Sequence, residues 1–352
     1  MRIVLAYSGG LEASAAIPWL RAQTGAEVVA VTLDLGQGRE LEAVRDCALA
    51  LGAQRAHVLD VRDVFARDFV LPALAADALH AGGVPMALAL SRPLIAVKLV
   101  EMAAIERADA VAHTGHAVDG ASPLDRLLAA VAPEVPVRRP AREWTLGAAD
   151  LAAVARAHGI GQPADRAARI EANFWGRSLR AHADADPAAL AARSPELCPE
   201  EPALVDISFT RGVPTALNGV ALPLPELVAS LGTLASAHGV GYAASDALAC
   251  NAPAAVLLHA GHRELTRAAS GLDVSPFAAV ATAAYVDLIE RARWFSPLRG
   301  ALDACFGVLQ SRVTGHVRLR LRKGAYSTLT TELTPEATGS LRLPVVPSSA
   351  QH

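Results

Sequence analysis

The first 140 residues alternate short apolar runs with segments whose apolar positions recur at helical spacing. Residues 3–7 read as a buried strand, followed by a glycine turn and a helix from Leu11. Residues 27–33 and 56–59 repeat the strand pattern, with a helix over 39–51 between them and a long helical stretch from Arg62. Residues 92–107 are helical in period, and 110–113 and 135–138 are further strands. Strands alternating with helices predict a parallel sheet covered on both faces. Pro18 falls inside the first helix, where it removes a hydrogen bond.

Periodicity fades over residues 159–193, where proline, aspartate and alanine dominate, and this reads as a connection between domains. The second half has another texture. Residues 204–209 and 213–221 form a hairpin pattern around Arg211-Gly212, and helical stretches follow at 224–237, 252–269 and 277–293. Over 313–322 the pattern alternates, with Val317, Leu319 and Leu321 on one face and Arg318, Arg320 and Arg322 on the other. That is a half-buried strand, and its arginine row reads as a solvated face. The boundaries that follow are an N-terminal α/β domain over 1–160, a connecting segment over 161–202 and an α+β domain over 203–345.

Composition narrows the function classes. The chain has 352 residues, 52% hydrophobic and 19% charged, with a formal net charge of −3, enough apolar content for a large core. That charge offers no global attraction to nucleic acid or to an anionic membrane. No apolar run is long enough for a membrane span. Cys47, Cys198, Cys250 and Cys305 are far apart, without a paired spacing or a histidine at ligand distance. They read as buried thiols of a cytoplasmic protein, with no metal site of their own.

Ser8-Gly9-Gly10-Leu11-Glu12-Ala13-Ser14 stands between the first strand and the first helix. Paired glycines let a backbone approach a ligand, and the first-turn amides of a helix form an anion site. Ser8 and Ser14 add hydroxyl donors. A glycine turn of this kind also occurs as plain structure, but its place at the first strand–helix junction favours phosphate. There is no Walker lysine and no G-x-G-x-x-G at this turn. The loop resembles the pyrophosphatase-type S-G-G-x-D-[ST]-S of enzymes that cleave ATP between its α and β phosphates, with Glu12 in place of the aspartate and Ala13 in place of a hydroxyl residue.

Further motifs narrow the resemblance. Asp34-Leu35-Gly36-Gln37, Ser91-Arg92-Pro93-Leu94, Ala112-His113-Thr114-Gly115, Arg142-Glu143-Trp144 and Asn173-Phe174-Trp175-Gly176-Arg177-Ser178 occur in order. Gly212-Val213-Pro214, His238-Gly239-Val240-Gly241, Trp294-Phe295-Ser296-Pro297 and Val313-Thr314-Gly315 complete the series. In this order and spacing the chain resembles the argininosuccinate synthase family along nearly its whole length. The resemblance implies a HUP-type, adenine nucleotide α-hydrolase-like N-terminal domain, a C-terminal synthetase domain and a homotetramer. It implies ATP as a substrate, Mg2+ accompanying it, and small-molecule amino acids as partners. The family reaction adenylates the ureido oxygen of citrulline, after which the amine of aspartate displaces AMP.

Carried over residue by residue, the resemblance assigns ATP to Ala6, Tyr7, Ser8, Gly9, Gly10, Leu11, Glu12, Ala13 and Ser14, with Leu33 near the adenine and Gly115 in a later glycine loop. Thr114 and Asp119 fall at aspartate contacts, Ser178 at a citrulline contact, and Arg92 near substrate or phosphate. No catalytic acid or base is assigned. Polar citrulline contacts of the family fall instead on Val84, Ala89, Ser122 and Arg169, and an expected asparagine on Val118. A site that recognises polar groups discriminates strongly against losing its partners, so these departures imply a changed carbonyl substrate. A non-catalytic nucleotide-binding homologue is the alternative. An RNA-modifying enzyme would want an activated cysteine and a basic surface, and the sequence carries neither. Arg142-Glu143-Trp144 reads as an ion pair plus a buried indole, Trp175 and Trp294 as packing residues, and His113 and His116 as loop histidines.

Overall fold

The computed structural model describes residues 1–38, 40–115, 121–144, 147–157, 170–180, 190, 193–244, 248–270 and 274–334. The N-terminal part runs β1 (Arg2–Ala6), α1 (Leu11–Thr24), β2 (Glu27–Asp34), α2 (Leu41–Ala50) and β3 (Arg55–Asp60). The stretch after Arg62 is not one regular helix. It is α3 (Arg62–Phe65), a π-helical turn (Ala66–Val70) and α4 (Leu71–Ala75), then a two-stranded ribbon of β4 (Leu79–His80) and β5 (Val84–Pro85). Next come α5 (Ala87–Glu106), β6 (Ala110–Ala112), α6 (Pro123–Val131), β7 (Val137–Arg138), α7 (Pro140–Glu143) and α8 (Ala148–Ala157). Helix α5 begins five residues before Arg92 and contains Pro93, so Arg92 is inside the helix and not at its start.

Five strands make one sheet in the order β3-β2-β1-β6-β7, and every pairing is parallel. Side chains alternate between its faces. Ile3 and Leu5 join Ala16, Ile17 and Leu20 of α1 on one side, while Val4 joins Leu94 and Leu99 of α5 on the other. This two-sided burial is why these strands read as unbroken apolar runs. Pro18 is accommodated within α1, which continues to Thr24.

The stretch read as a connection carries two strands, β8 (Ile170–Asn173) and β9 (Gly176–Arg180). They form a short antiparallel hairpin with each other, and each is too brief to show a clear alternation. The later elements are β10 (Ala203–Thr210), β11 (Val213–Leu217), β12 (Val220–Ala221), α9 (Leu224–Ala237), β13 (Tyr242–Ala244) and β14 (Leu248–Asn251). They continue with α10 (Pro253–Ala269), α11 (Val274–Glu290), α12 (Pro297–Gln310), β15 (Gly315–Arg322) and β16 (Ala325–Leu333). Strand β14 pairs antiparallel with β9, giving a four-stranded sheet in the order β13-β14-β9-β8. The other sheet runs β12-β11-β10-β15-β16, with Val317, Leu319 and Leu321 fully buried and Arg318, Arg320 and Arg322 exposed. Arg318 pairs with Asp206 across β10, at 2.8 Å.

Among the described residues several polar contacts join the halves, and two groups of them cluster. In the first, the β8–β9 turn is anchored on the nucleotide-type sheet. Asn173 donates its side-chain amide to Ala87 O at 2.7 Å, and the Phe174 N–H donates to Leu35 O at 2.7 Å. In the second, the C-terminus of α4 is capped by helices of the second half. Gln310 donates to Ala75 O at 3.0 Å and Thr282 to Ala76 O at 2.8 Å, while Asp77 accepts from His259 and Arg263. Terminal helix carbonyls have no intrahelical partner, so α12 and α11 supply what α4 lacks, while α10 holds the Asp77 side chain beside them.

Two of the four cysteines, Cys198 and Cys250, are buried, whereas Cys47 and Cys305 are partly exposed, and all four are free thiols. Among the described residues no helix is long and apolar enough to cross a membrane.

Candidate active site

The sheet order defines where a ligand fits. From β1 the chain passes through α1 to β2 on one side, and it reaches β6 on the other side of β1 only after β3 and α5. In open parallel sheets, the crevice beyond the carboxyl ends of the strands where this reversal occurs is the usual binding position. Two loops border it here, the one after β1 and the one after β6. Leu5 pairs with Ala112, so Tyr7-Ser8 and Thr114-Gly115 leave adjacent strands at the same level.

The first loop forms because the sheet ladder continues to Tyr7, whose N–H donates to Val31 O at 2.9 Å, while Thr32 Oγ1 donates to Tyr7 O at 2.9 Å. The chain then turns through Gly9 at φ +70°, a left-handed conformation that favours glycine. A Cβ there would also lie 3.1 Å from Val44 Cγ1. Gly10 is the N-cap of α1, and no side chain caps this helix. The opening amides of a helix lack intrahelical acceptors and carry the positive end of its dipole. Ser8 is exposed and its Oγ accepts the Gly10 N–H at 3.3 Å. Ala6, Gly10, Leu11 and Glu12 are half-buried. Ala13 and Ser14 turn into the core, with Ser14 Oγ 3.1 Å from the Tyr7 hydroxyl, so Ser14 braces the turn from behind.

Leu33 is half-buried near the carboxyl end of β2, above a laced turn. Gln37 binds both Leu33 O at 2.8 Å and the Leu35 N–H at 2.7 Å, and Asp34 accepts from the Gly36 N–H at 2.8 Å. Gly36 has φ +74°, and a Cβ on it would lie 2.7 Å from Phe174 Cβ.

The second loop is organised from below. His113 is 2% exposed and its Nε2 lies 2.9 Å from Asp125 Oδ1. Asp125 also accepts from Arg139 Nε at 2.6 Å and from the Ser122 N–H at 2.8 Å, and Ser122 Oγ accepts the Asp125 N–H in return. Burial pushes the Asp125 carboxyl upward, but hydrogen bonds from His113, Arg139 and Ser122 outweigh it and hold the group well below the ordinary carboxylate range. Ser122-Pro123-Leu124-Asp125 is a capping box opening α6, a signature present in the sequence but passed over in its reading. His113 is thus a buried network residue and not an idle loop histidine.

The structure therefore brings residues 6–14, Leu33, Thr114 and Gly115 to one edge of one sheet. Two further candidates stand on other elements. Arg92 is half-buried in α5. Ser178 is buried in β9, with its hydroxyl directed to Cys250 Sγ at 3.6 Å. Burial pushes the Cys250 thiol up to about 11, only partly offset by Ser178, which makes it a poor nucleophile. Asp119, His116, Val118 and Arg169 lie outside the described residues. Glu143 pairs with Arg138, at 2.9 Å from Nε, whereas Arg142 reaches toward Asp125 at 3.9 Å. Trp144 is only half-buried and meets Trp19 edge-on at 6.0 Å. Trp175 and Trp294 are packing residues, each 2% exposed. Among the described residues no cluster of three or more His, Cys, Asp or Glu could hold a metal.

Comparison with known proteins matches both halves of the chain. Residues 2–161 match the family described as "Arginosuccinate synthase N-terminal HUP domain", and 169–336 match "Arginosuccinate synthase C-terminal domain". An argininosuccinate synthase of Rubrobacter xylanophilus is 41% identical over 96% of this chain and 86% of its own length. One from Geobacillus kaustophilus is 39% identical over 92% and 84%, and one from Bacillus pumilus 38% over 92% and 85%. With both of its halves matched and relatives this close, the chain belongs to the argininosuccinate synthase family of ATP-dependent ligases.

Proposed function

We propose that this protein is an AMP-forming C–N ligase that binds ATP in the crevice between the β1 and β6 loops. It transfers adenylate to a ureido or carbonyl oxygen and releases pyrophosphate. An amino-acid amine of aspartate type then displaces AMP. The observation that carries the reading is the start of α1, preceded by Gly9 in a left-handed conformation, at the reversal point of the sheet. Backbone amides there neutralise phosphate charge without a side chain that must reorganise. Gly115, exposed on the neighbouring loop, supports a second wall for the nucleotide, and half-buried Thr114 supports orientation of the amine.

Mg2+ would arrive with the ATP, because that ion keeps phosphate oxygens and waters as most of its ligands and needs only one or two carboxylates. Glu12, in the first turn of α1, is the acidic side chain best placed along the loop to serve it. The ion would supply charge neutralisation on the leaving pyrophosphate.

The acceptor differs from citrulline in this proposal. Val84 and Ala89, at positions where the family resemblance wants polar contacts, are buried and apolar, and Ser178 spends its hydroxyl on Cys250. These residues support an acceptor less polar than an α-amino acid on that side. The test is to incubate the protein with Mg2+, ATP and aspartate, adding citrulline in one series and pools of other ureido and carboxylic compounds in another. AMP release with a member of the pools and little with citrulline is expected. Efficient citrulline-dependent release would refute the changed acceptor, and no release with any pool would favour a nucleotide-binding homologue without catalysis.

A further inference from the structure

The proposed nucleotide crevice depends on Thr114-Gly115 holding one conformation, and the residue that sets it does not face the crevice. We propose that His113 is a positioning residue whose Nδ1 lone pair, fixed by Asp125, docks the Gly115 amide and so shapes the second wall of the nucleotide site. The inference rests on the function proposed above.

Asp125 receives Arg139 Nε at 2.6 Å and the Ser122 N–H at 2.8 Å, with Arg142 3.9 Å away, so it stands as an acceptor-only carboxylate. The ring nitrogen facing it at 2.9 Å, His113 Nε2, must then carry hydrogen. A neutral imidazole with its proton on Nε2 leaves a lone pair on Nδ1. The Gly115 N–H donates to that atom at 3.1 Å. The backbone of His113 is itself fixed to the sheet, its N–H donating to Arg138 O at 3.2 Å. A relay therefore runs from Arg139 and Ser122 through Asp125 and the ring to one loop amide.

Geometry makes the contact selective. A Cβ on Gly115 would lie 3.1 Å from His113 Nδ1, closer than an ordinary packing contact, so the loop approaches the ring as only glycine comfortably can. Gly115 is exposed whereas His113 is 2% exposed. The imidazole is thus a buried template under a surface turn. The Gly115 amide is thereby directed at the ring. A ring protonated on both nitrogens would set N–H against N–H at Gly115 and release the turn.

Two substitutions separate this role from simple packing. In His113→Asn the amide oxygen falls near the position of Nδ1 and preserves the acceptor for Gly115, while the donor to Asp125 is lost. In His113→Gln an amide donor reaches Asp125, but no acceptor remains at the Nδ1 position. ATP affinity by calorimetry is measured for the full chain and both variants in Mg2+ buffer, with a thermal melt of each. The expected result is affinity within about threefold of the parent for His113→Asn, and a loss of tenfold or more for His113→Gln, irrespective of which melts higher. Equal ATP affinity in the parent and His113→Gln overturns the inference while leaving the proposed function intact. Failure of the parent to bind ATP overturns both. Should either variant not fold, long-range 1H–15N correlation of the parent's ring decides the point. An Nε2–H tautomer with a bare Nδ1 is expected, and a protonated Nδ1 overturns the inference.

Discussion

Replacing Asp77 by asparagine preserves the shape of a residue that joins the two halves and removes its charge. Asp77 ends α4 in a left-handed conformation, φ 46°, and its carboxylate accepts His259 Nδ1 at 2.9 Å and Arg263 Nε and Nη2 at 2.8 and 3.1 Å. Burial pushes this carboxyl upward, but hydrogen bonds from His259 and Arg263 more than offset it, and it falls from 3.8 to about 2. At ~1.4 kcal/mol per pKa unit, that difference corresponds to about 2.5 kcal/mol favouring the folded state when the group is ionised. Its side chain is 30% exposed, so screening trims the figure to about 2 kcal/mol. The same size follows from hydrogen bonds to a charged group, each contributing ~1.5–3 kcal/mol. Because the folded pKa is depressed, the contribution is full above about pH 4 and is lost as pH falls toward 2. Urea unfolding followed by tryptophan fluorescence suits the measurement, since buried Trp175 sits 5.9 Å from the His259 ring. Asp77→Asn should lower stability by about 2 kcal/mol at pH 7, and the gap from the parent should close between pH 4 and 2. A loss below ~0.5 kcal/mol, within the ordinary range for surface substitutions, would refute the reasoning, as would a gap that widens in acid.

Three further outcomes are expected. Burial of His262 pushes its pKa down to about 4, with nearby His259 adding to the effect, and its Nδ1 has no partner. Between pH 6.5 and 4 the unfolded chain binds the extra proton, so stability should fall by ~1.4 kcal/mol per pH unit, and a His262→Gln chain should lack this slope in pH-dependent urea titrations. Gly36→Ala combines φ +74° with a Cβ 2.7 Å from Phe174 Cβ, whereas Gly38→Ala has φ +67° and open space. Thermal melts should show the first losing about 1–3 kcal/mol more than the second. Gly9→Val, strained at φ +70° and close to Val44, should cut ATP affinity at least tenfold by calorimetry while far-UV circular dichroism stays near that of the parent.

The nucleotide-type half was legible because its strands are buried on both faces and its helices are periodic. The glycine turn between β1 and α1 was legible because glycine pairs, helix starts and strand ends are all local. What escaped the reading was non-local or irregular. Strand β9 gains its second partner, β14, about 70 residues later, and neither β8 nor β9 is long enough to show alternation. The π-helical turn at Ala66–Val70 breaks the period that suggested one long helix after Arg62. The Arg142-Glu143 pair was read from adjacency, but Glu143 finds Arg138 because β7 and α7 fold back on each other. Nothing local in Asn173-Phe174 signals its role, since its partners, Ala87 and Leu35, are 86 and 139 residues away. The role of His113 was hidden in the same way, although Ser122-Pro123-Leu124-Asp125 advertised the capping box that fixes Asp125.

In the proposed reaction, ATP held at the start of α1 is cleaved between its α and β phosphates. Phosphorus NMR of the products, with Mg2+, ATP, aspartate and an active carbonyl acceptor, reads the cleaved bond directly. AMP and pyrophosphate in equal amounts, and neither without the acceptor, are the expected products. ADP with inorganic phosphate as the acceptor-dependent products would contradict the claim.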